Sequence, residues 1–557
     1  MEEILSDTSK FKKVEFNAKH TVNKEIRHLL SMEDGIKLFL KDLLENDYVS
    51  KEDYKYMLPA GGNPGVLYGL CKVHKDKEPG TTTPPFRPIL SSIGTCTYKM
   101  AKFFVPLLKP HTINEYSVND SFSLAEEVLE QDASLYMASF DVKSLFTNIP
   151  LNETIDICVD KMYDGKRKIK GMLKRHFKKL LSLTTKTSCF IFNGNYYSQV
   201  EGMAMGSPLG PTFANVFLGL HEMTWLDNCP LQFRPVYYRR YIDDVLVLFK
   251  DKTHVKKFLR YLNSKHNSIE FTHEEEDNNT ISFLDIKTTR INNKFTASNF
   301  RKKTFSGVYL NFPSFLPSDY KKGLLFTLLY RAYRLSSSYM TFHEEIERLK
   351  LIWKKNNFPV YFIDKCILKF LNKLFTRTNV TKTLPEKEKI LIRLPFLGKI
   401  SLQLKARLRN IYKKCLPNIK LDIVFHSKNR IRNAFSFKDV ISNDLQSLVL
   451  YKYKCSICND ACYVGKTKRH YKVRLYEHLG LSIPTDKSLK YTKKNATAVR
   501  QHIEDCQHAS HMYDFSIIGS ATNDYHLKIK ESLVISKLKP SLNTQGDSIP
   551  LVLFDNY

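Results

Sequence analysis

The chain has 557 residues, of which 43% are hydrophobic and 12% aromatic; this composition excludes a disordered protein and gives room for three or four domains of roughly 150 residues each. Lys and Arg number 86 against 57 Asp and Glu, a net charge of +29, and this surplus favours a polyanionic partner. An anionic membrane is the competing partner, but no apolar run approaches the ~18 residues that a span requires. The first residues do not resemble a signal peptide, and eleven cysteines without a secretory context predict reduced thiols.

The N-terminal part predicts a helical segment followed by short strands. Residues 1–60 are rich in charge, with 33–44 as the best candidate helix. Beyond residue 61, glycines and prolines separate short apolar runs that end in basic residues, among them Lys72 and Arg87. Cations at the ends of strands suit a template or a triphosphate, and ordinary surface charge is the alternative for either residue.

Adjacent aspartates interrupt an apolar and aromatic stretch at 235–249, and this is the most informative feature of the chain. Asp243 and Asp244 follow Tyr241-Ile242, and the apolar runs on both sides predict a strand, a tight turn and a strand. Two neighbouring carboxylates repel each other unless a cation lies between them, and hard oxygen ligands suit Mg²⁺. Exposed turn aspartates without a metal are the alternative.

Two stretches upstream complete a pattern with this hairpin. Asp141 ends an apolar run and is followed by a helix-like stretch at 152–162, and Gly206 and Ser207 lie in a glycine-rich loop before a helix at 211–225. Glycines in such a loop permit close approach of the backbone to a ligand. An Asp, a Gly-Ser-Pro loop and a Tyr-x-Asp-Asp, in this order, resemble the palm motifs of reverse transcriptases.

This resemblance implies a two-metal polymerase. Asp141 and Asp243, supported by Asp244, would hold Mg²⁺, and a nucleotide site would be formed by Lys72, Arg87, Phe146, Gly206 and Ser207. Phe146 falls where reverse transcriptases place the aromatic side chain that excludes a ribose 2′ hydroxyl; packing in the core is its alternative role. Fingers and palm would occupy 61–300, and a helical stretch beginning near Arg301 would form a thumb at 301–375. A basic, proline-broken connector would follow at 376–445.

The C-terminal part, 446–557, predicts a second catalytic module. Two apolar runs carry Tyr451 and Tyr463, Arg474 and His478 stand one helical turn apart, and Glu531 lies on a later helix-like run. This layout resembles the GIY-YIG nucleases, although Val-Leu-Tyr and Tyr-Val-Gly replace the two sequences that give the family its name. The resemblance implies a catalytic metal on Glu531, a phosphate contact from Arg474, and a water handled by the two tyrosines and His478. Core tyrosines and a solvated helix face are the alternative.

A zinc site is predicted in the same module. Cys455 and Cys458 have the spacing of metal ligands, and His502 with His508 would complete a tetrahedral Cys₂His₂ set. Competing ligands are available in Cys462, Cys506 and His511. Free buried thiols are the alternative without a metal.

A reverse transcriptase joined to a GIY-YIG nuclease with Cys and His ligands resembles the Penelope-like retrotransposon proteins. The fold expected is α+β and multidomain: a right-hand polymerase of fingers, palm and thumb, followed by a small α/β nuclease domain. The resemblance implies nicking of target DNA, extension of the 3′ hydroxyl with dNTPs on a template RNA, and work in the nucleus after synthesis in the cytoplasm. A polymerase with a non-cleaving, zinc-bearing DNA-binding tail and an inactive nucleic-acid-binding relic remain as alternatives.

Overall fold

The computed structural model describes residues 1–16, 24–73, 84–376, 388–427, 435, 439–458, 460–481 and 497–543. Its described strands form five sheets, with five, four, three, two and three strands. Within these residues, no helix combines the length and the apolar character needed to cross a bilayer.

The first sheet combines strands that are far apart in the chain. Its order is β1-β6-β5-β2-β3, with bounds β1 (Phe11–Lys13), β2 (Gly65–Cys71), β3 (Phe86–Ser91), β5 (Phe190–Phe192) and β6 (Asn195–Gln199). The segment expected to be helical, 1–60, contains α1 (Glu2–Leu5), α2 (Lys24–Glu45) and α3 (Lys51–Met57) but also strand β1. The exclusively helical expectation is therefore wrong there, because Phe11 is buried against Phe190 in the sheet.

The second sheet is the centre of the largest core. Its antiparallel order is β7-β8-β4-β9, with bounds β4 (Tyr136–Val142), β7 (Tyr237–Tyr241), β8 (Asp244–Phe249) and β9 (Phe271–Glu275). After Asp244, every residue of β8 is buried, as expected for a strand covered on both faces. Around it lie α4 (Tyr98–Leu108), α5 (Ser121–Leu129), α6 (Leu145–Asn148), α7 (Leu151–Tyr163), α8 (Lys174–Lys186), α9 (Gly210–Asp227) and α10 (Thr253–Asn263).

A small antiparallel sheet and three helices follow. The sheet is β10 (Thr280–Phe283), β11 (Ile286–Ile291) and β12 (Lys294–Asn299), and the helices are α11 (Ser318–Leu335), α12 (Tyr339–Lys355) and α13 (Val360–Phe375). The helical stretch predicted to begin near Arg301 begins only at Ser318, because 300–317 contains Gly307, Pro313 and Pro317, of which Pro317 precedes the first helical turn.

The connector contains a β-α-β unit. Strands β13 (Glu388–Pro395) and β14 (Ile419–His426) pair in parallel, and α14 (Lys399–Cys415) connects them. Leu421, Ile423 and Phe425 of β14 are buried beneath the side chains of Leu408 and Tyr412 of α14.

The C-terminal module is a three-stranded antiparallel sheet with helices. Its order is β16-β15-β17, from β15 (Val449–Lys454), β16 (Cys462–Thr467) and β17 (Phe515–Ser520), with α15 (Tyr471–His478), α16 (Ala498–Asp505) and α17 (Asp524–Leu538). The module packs on α2, where Leu445 joins a buried cluster with Ile26 and Leu29. At Gly61, with φ +67°, a Cβ would lie 2.7 Å from the carbonyl oxygen of Lys468. The two backbone segments are therefore too close together at this point for any residue but glycine. The predicted nuclease segments 482–496 and 544–557 lie outside the described residues.

Candidate active sites and metal centre

Three carboxylates meet at one end of the second sheet. Asp141 is near the end of β4 and is the direct cross-strand partner of Asp244, the first residue of β8. Asp243 occupies the turn between β7 and β8, and its carbonyl oxygen accepts a hydrogen bond of 3.0 Å from the backbone of Val142. The turn holds Ile242 at φ +58°, a left-handed conformation that is costly for a β-branched residue. The three aspartates predicted as metal ligands are thus neighbours.

A buried ion pair holds this turn, and no sequence pattern indicated it. Arg240 is 2% exposed and Glu222, on α9, is 2% exposed. The guanidinium makes two hydrogen bonds to this carboxylate, Nε to Oε2 at 2.5 Å and Nη2 to Oε1 at 2.9 Å. Its Nη1 donates to the carbonyl oxygen of Ile242 at 3.0 Å and to Oδ1 of Asn215 at 2.7 Å. The strained residue before Asp243 is therefore bonded to a fixed donor.

The electrostatics of the carboxylates favour a cation. Burial, followed by the charges of Asp243 and Asp141, raises the pKa of Asp244 to about 6. Burial also raises the pKa of Asp243, against a backbone hydrogen bond and the opposing charges of Arg87, Arg240 and Lys72. Three neighbouring carboxylate groups, with more negative charge than the nearby cations neutralise, suit Mg²⁺ as oxygen ligands. Because Lys72 and Arg87 influence Asp243, the two predicted cations of the first sheet lie on the side of the carboxylates.

The glycine-rich loop lies against the first sheet. A Cβ on Gly206 would be 2.1 Å from the carbonyl oxygen of Leu90, so only glycine fits, and its own carbonyl accepts a hydrogen bond from the Ser92 hydroxyl at 2.8 Å. Ser207 follows at the turn that leads into α9. Phe146, on α6, is half-buried, and its ring would lie 3.3 Å from a Cβ on Gly210. Phe146 therefore packs against this loop, on the short helix that follows the Asp141 strand.

The predicted nuclease residues form a second cluster, in the C-terminal module. The hydroxyl of Tyr451, whose side chain is fully buried, lies 2.7 Å from Nε2 of His478 and accepts from Nε of Arg474 at 3.1 Å. The ring of Tyr463 is 6.3 Å from that of Tyr451 and 5.5 Å from that of His478. Burial raises the pKa of Tyr451, with the Glu531 carboxylate contributing in the same direction. The other four side chains thus contact Tyr451 or act on its charge.

Protonation in this cluster follows from burial. Burial and the charge of Arg474 lower the pKa of His478 to about 3, so its ring is neutral near pH 7. Since Arg474 donates to the Tyr451 oxygen, the hydroxyl proton is free to point at Nε2 of His478, and Nδ1 then donates to the Thr497 hydroxyl at 2.7 Å. A Cβ on Gly465 would be 2.6 Å from the Tyr451 hydroxyl. The glycine of Tyr-Val-Gly thus gives Tyr451 its space.

The predicted zinc ligands converge at the edge of the same module. One ligand atom from each of Cys455, Cys458, His502 and His508 lies within 4.8 Å of the others. Nε2 of His508 is 3.4 Å from the sulfur atoms of both cysteines. Nε2 of His502 is buried and has no hydrogen-bond partner among the described residues, as expected of a ligand nitrogen. Of the competing ligands, Cys506 is close, at 3.5 Å from Nδ1 of His502. The donor set fits Zn²⁺.

A further cluster, not anticipated from the sequence, connects three elements of the second sheet's core. Glu153 of α7 lies 2.8 Å from Nε2 of His221 on α9 and 3.1 Å from Nε2 of His266, which follows α10. Nδ1 of His266 accepts from the backbone of Ser268 at 3.1 Å, so the proton of a neutral ring sits on Nε2 and points at Glu153. These hydrogen bonds indicate that Glu153 and the two histidines connect α7, α9 and the segment after α10, rather than bind a metal ion.

Two family models match the chain. Residues 74–281 match the model described as reverse transcriptase (RNA-dependent DNA polymerase), and residues 308–368 match an animal helix-turn-helix domain. The first match contains Asp141, Asp243 and Asp244 together with the glycine-rich loop. The second lies in the helical region that was expected to form a thumb. No curated protein matches the chain.

Solved polymerase structures show only distant similarity. Telomerase from Candida albicans, in complex with a TWJ fragment of telomeric RNA, is 10% identical with a TM-score of 0.39 over 57% of this chain and 60% of that chain. Apo telomerase from Candida tropicalis is 12% identical, with a TM-score of 0.35 over 57% and 59%. The Sicinivirus 3Dpol RNA-dependent RNA polymerase is 11% identical, with a TM-score of 0.39 over 58% and 71%. The matched part of this chain spans less than two thirds of either telomerase chain.

The convergent carboxylates and the family match concern the same residues. The mixed α/β fold places Asp141, Asp243 and Asp244 together on one sheet, and the reverse transcriptase model covers all three. This chain therefore carries a reverse transcriptase domain, the catalytic unit of an RNA-directed DNA polymerase.

Proposed function

We propose that this protein is the RNA-directed DNA polymerase of a Penelope-like retroelement and that its C-terminal module is a GIY-YIG endonuclease. In this proposal the module nicks target DNA, and the reverse transcriptase extends the freed 3′ hydroxyl on a template RNA with dNTPs. The main support for this proposal is that one chain contains two separate clusters of residue types used in catalysis, one around Asp243 and one around Tyr451.

The polymerase site has a role for each predicted residue. Asp141, Asp243 and Asp244 would hold two Mg²⁺ ions, which when bound lower the pKa of the primer hydroxyl and neutralise the triphosphate and the leaving pyrophosphate. Lys72 and Arg87 would bind triphosphate oxygens, since their charges already act on Asp243. The backbone at Gly206 and Ser207 would lie against the incoming nucleotide, and Phe146 would exclude a 2′ hydroxyl.

The second cluster supports phosphodiester hydrolysis. Glu531 would hold a divalent ion that polarises the scissile phosphate. Arg474 would contact the phosphate, where its charge stabilises the transition state. Tyr451, Tyr463 and His478 would orient or deprotonate the attacking water; its oxygen bonds to phosphorus, the P–O3′ bond breaks, and the 3′ oxygen leaves with a proton. Neutral His478 accepts a hydrogen bond from the Tyr451 hydroxyl, and its lowered pKa disfavours full protonation, so its role would be to orient the Tyr451 oxygen toward the water.

The zinc site would stabilise the nuclease fold. Cys455 and Cys458 follow β15, and His502 lies on α16, so a bound ion would connect the sheet to a helix that supplies no catalytic residue. The same site favours the second candidate function, a non-cleaving DNA-binding tail, because a structural zinc site would serve that role equally well.

Three parts of the proposal extend beyond the two sites. The helices α11 to α13 would act as a thumb that contacts the template-primer duplex, and the helix-turn-helix match to 308–368 is compatible with nucleic-acid contact there. Access to chromosomal DNA would place the protein in the nucleus. The net charge of +29 suits the template RNA and the target DNA as partners.

Primer extension tests the polymerase half. The purified full chain, with an annealed primer on an RNA template, should incorporate dNTPs in the presence of Mg²⁺. Asp243→Asn should abolish extension while leaving primer-template affinity within about twofold, because it removes a metal ligand and no phosphate contact. Asp277→Asn changes an exposed aspartate in the turn after β9 and should leave extension unchanged. Extension by the Asp243 variant at the wild-type rate would disprove the assignment.

Nicking of supercoiled plasmid tests the nuclease half. Wild type should convert the plasmid to the open circle, Glu531→Ala should not, and Glu504→Ala, which changes an exposed carboxylate of the same module, should nick normally. Equal nicking by all three proteins would show that Glu531 is not the metal ligand. If neither wild type nor Glu531→Ala nicks the plasmid, the module does not cleave DNA, and the second candidate, a non-cleaving tail, replaces the endonuclease.

A further inference from the structure

Helix α14 in the connector carries an unusual concentration of positive charge. Its 17 residues include six Lys and Arg and no Asp or Glu. Lys405 lies 3.7 Å from Asp319. The other five are exposed, and none forms an ion pair with a carboxylate of the described residues: Lys399, Arg407, Arg409, Lys413 and Lys414.

These five cations lie away from the sheet that α14 covers. Leu408 and Tyr412 pack on the sheet and define the inner face. Successive residues of a helix are rotated by about 100° about its axis. Four of the five exposed cations therefore lie on the side of α14 opposite Leu408 and Tyr412, and Arg409 lies at the edge of that side. Lys399 and Lys414 are 15 residues apart, a distance of about 22 Å along the helix axis at 1.5 Å per residue. The outer face is therefore a basic stripe four turns long.

This arrangement lowers the stability of the isolated helix. Lys399 is the first helical residue, where the helix dipole disfavours a cation. Arg409 stands four residues after Lys405 and four before Lys413, and like charges at this spacing cost a few tenths of a kcal/mol per pair. The repulsion along the stripe would be relieved by a polyanion. Helix stability alone does not account for these residues.

The stripe is fixed to the rest of the chain. Besides the ion pair of Lys405, the hydroxyl of Tyr320 donates to the carbonyl oxygen of Phe425, and the rings of Phe315 and Phe396 lie 5.1 Å apart. These contacts join the β-α-β unit to the start of α11. A ligand on α14 would therefore have a defined position relative to the helical region 318–375.

The stripe offers charge but no stacking surface. Proteins that bind single strands combine a basic groove with exposed aromatic side chains on which bases stack. The only aromatic residue of α14 is Tyr412, which packs inward. A row of cations without aromatic side chains suits the regularly spaced phosphates of a rigid duplex. We propose that the outer face of α14 binds the phosphate backbone of a nucleic-acid duplex, without reading its sequence and apart from both candidate active sites.

Salt-dependent binding of the full chain tests this surface. The variant removes three cations of the stripe, Arg409→Gln, Lys413→Gln and Lys414→Gln. For duplex DNA, removing one cation that binds a phosphate makes the plot of log affinity against log salt shallower by about 0.9. We expect the slope for a DNA duplex and for an RNA–DNA hybrid to become shallower by about two to three, with a loss of affinity of at least about tenfold near 0.1 M salt. Binding of single-stranded oligo(dT) should change less than about twofold, since bases without a stacking surface gain little from the stripe.

A matched control separates the stripe from total charge. Lys256→Gln, Lys257→Gln and Arg260→Gln remove the same number of Lys and Arg from the exposed face of α10 and should leave the duplex slope unchanged. An unchanged slope in the α14 variant, an equal loss in the α10 variant, or an equal loss for oligo(dT) would each overturn the proposal.

A second measurement needs no variant and so does not depend on the folding of one. Amine acetylation of wild type, followed by mass spectrometry, should show duplex protection of Lys399, Lys413 and Lys414, whereas Lys256 and Lys257 should react as in the free protein. Full reactivity of the α14 lysines at saturating duplex would overturn the proposal even if the variant failed to fold.

Discussion

The ion pair between Arg240 and Glu222 should position the catalytic turn as well as stabilise the fold, and a double-mutant cycle separates these effects. Either single change, Arg240→Met or Glu222→Met, leaves one charge buried without its partner, since both side chains are 2% exposed. The expected cost is about 3–5 kcal/mol in the free energy of unfolding for each. The double variant removes both charges and leaves Asn114, Asn215, Tyr238 and Ile242 without one partner each, for a smaller total of about 1–3 kcal/mol.

The double variant should thus be more stable than either single variant, but its catalytic rate should not recover in the same way. In all three variants the carbonyl of Ile242 loses either its donor or the carboxylate that anchors that donor, so the turn that carries Asp243 is no longer fixed. A displacement of about 1 Å in a reacting group can cost 100-fold in rate, and we expect kcat to fall by at least about tenfold in each variant. The Mg²⁺ concentration for half-maximal activity should rise with it, because the metal ligands are displaced.

The chain has a suitable probe for the stability half of this cycle. Trp225 lies on α9, the helix of Glu222, and the only other tryptophan is Trp353. In a Trp353→Phe background, urea unfolding followed by fluorescence reports on the core around the second sheet. If the double variant regained both stability and wild-type kcat, the pair would be structural only and the positioning role would be refuted.

Three further predictions concern single features. Phe146→Ala should admit rNTPs with a much smaller loss of dNTP incorporation in a primer-extension assay; unchanged discrimination would make Phe146 a core residue only. Cys455→Ser with Cys458→Ser should lower the thermal stability of the tail and its nicking activity, because metal binding energy is folding energy, and zinc equally abundant in wild type and variant by metal analysis would contradict the ligand assignment. Because the pKa of Asp244 is raised, from 3.8 to about 6, its contribution to stability is present below about pH 4 and lost as the pH rises through 6. Mg²⁺-free protein should therefore be less stable at pH 7.5 than at pH 5 by about 1 kcal/mol from this group after solvent screening, and Asp244→Asn should remove that part of the difference in urea unfolding.

Local patterns predicted the elements that carry the carboxylates. The apolar runs around Asp243 and Asp244 indicated the hairpin, and the run ending at Asp141 indicated the strand beside it, because strand period and burial are visible in a short window. The same holds for the tail, where Tyr451 and Tyr463 lie on neighbouring strands, and Arg474 and His478 on one helix.

The contacts that fix these residues depend on distant parts of the chain. Arg240 and Glu222 are 18 residues apart on different elements, and nothing in either local sequence marks a buried pair. Strand β1 was not predicted because three residues are too few to show a period, and its pairing with β6 joins positions almost 190 residues apart. The docking of the tail on α2 through Leu445 has no sequence pattern at all. Long-range packing, rather than propensity, decided each of these features.

The central claim is that the nuclease supplies the primer for the polymerase, and joined product on duplex DNA tests it directly. With template RNA and dNTPs, wild type should yield cDNA covalently attached to a target duplex that was intact at the start of the reaction. Glu531→Ala should yield none on the intact duplex but wild-type amounts on a duplex nicked beforehand, because the palm carboxylates are unchanged. Attached cDNA on the intact duplex from Glu531→Ala at the wild-type level would contradict the account, since synthesis would then begin without the nuclease.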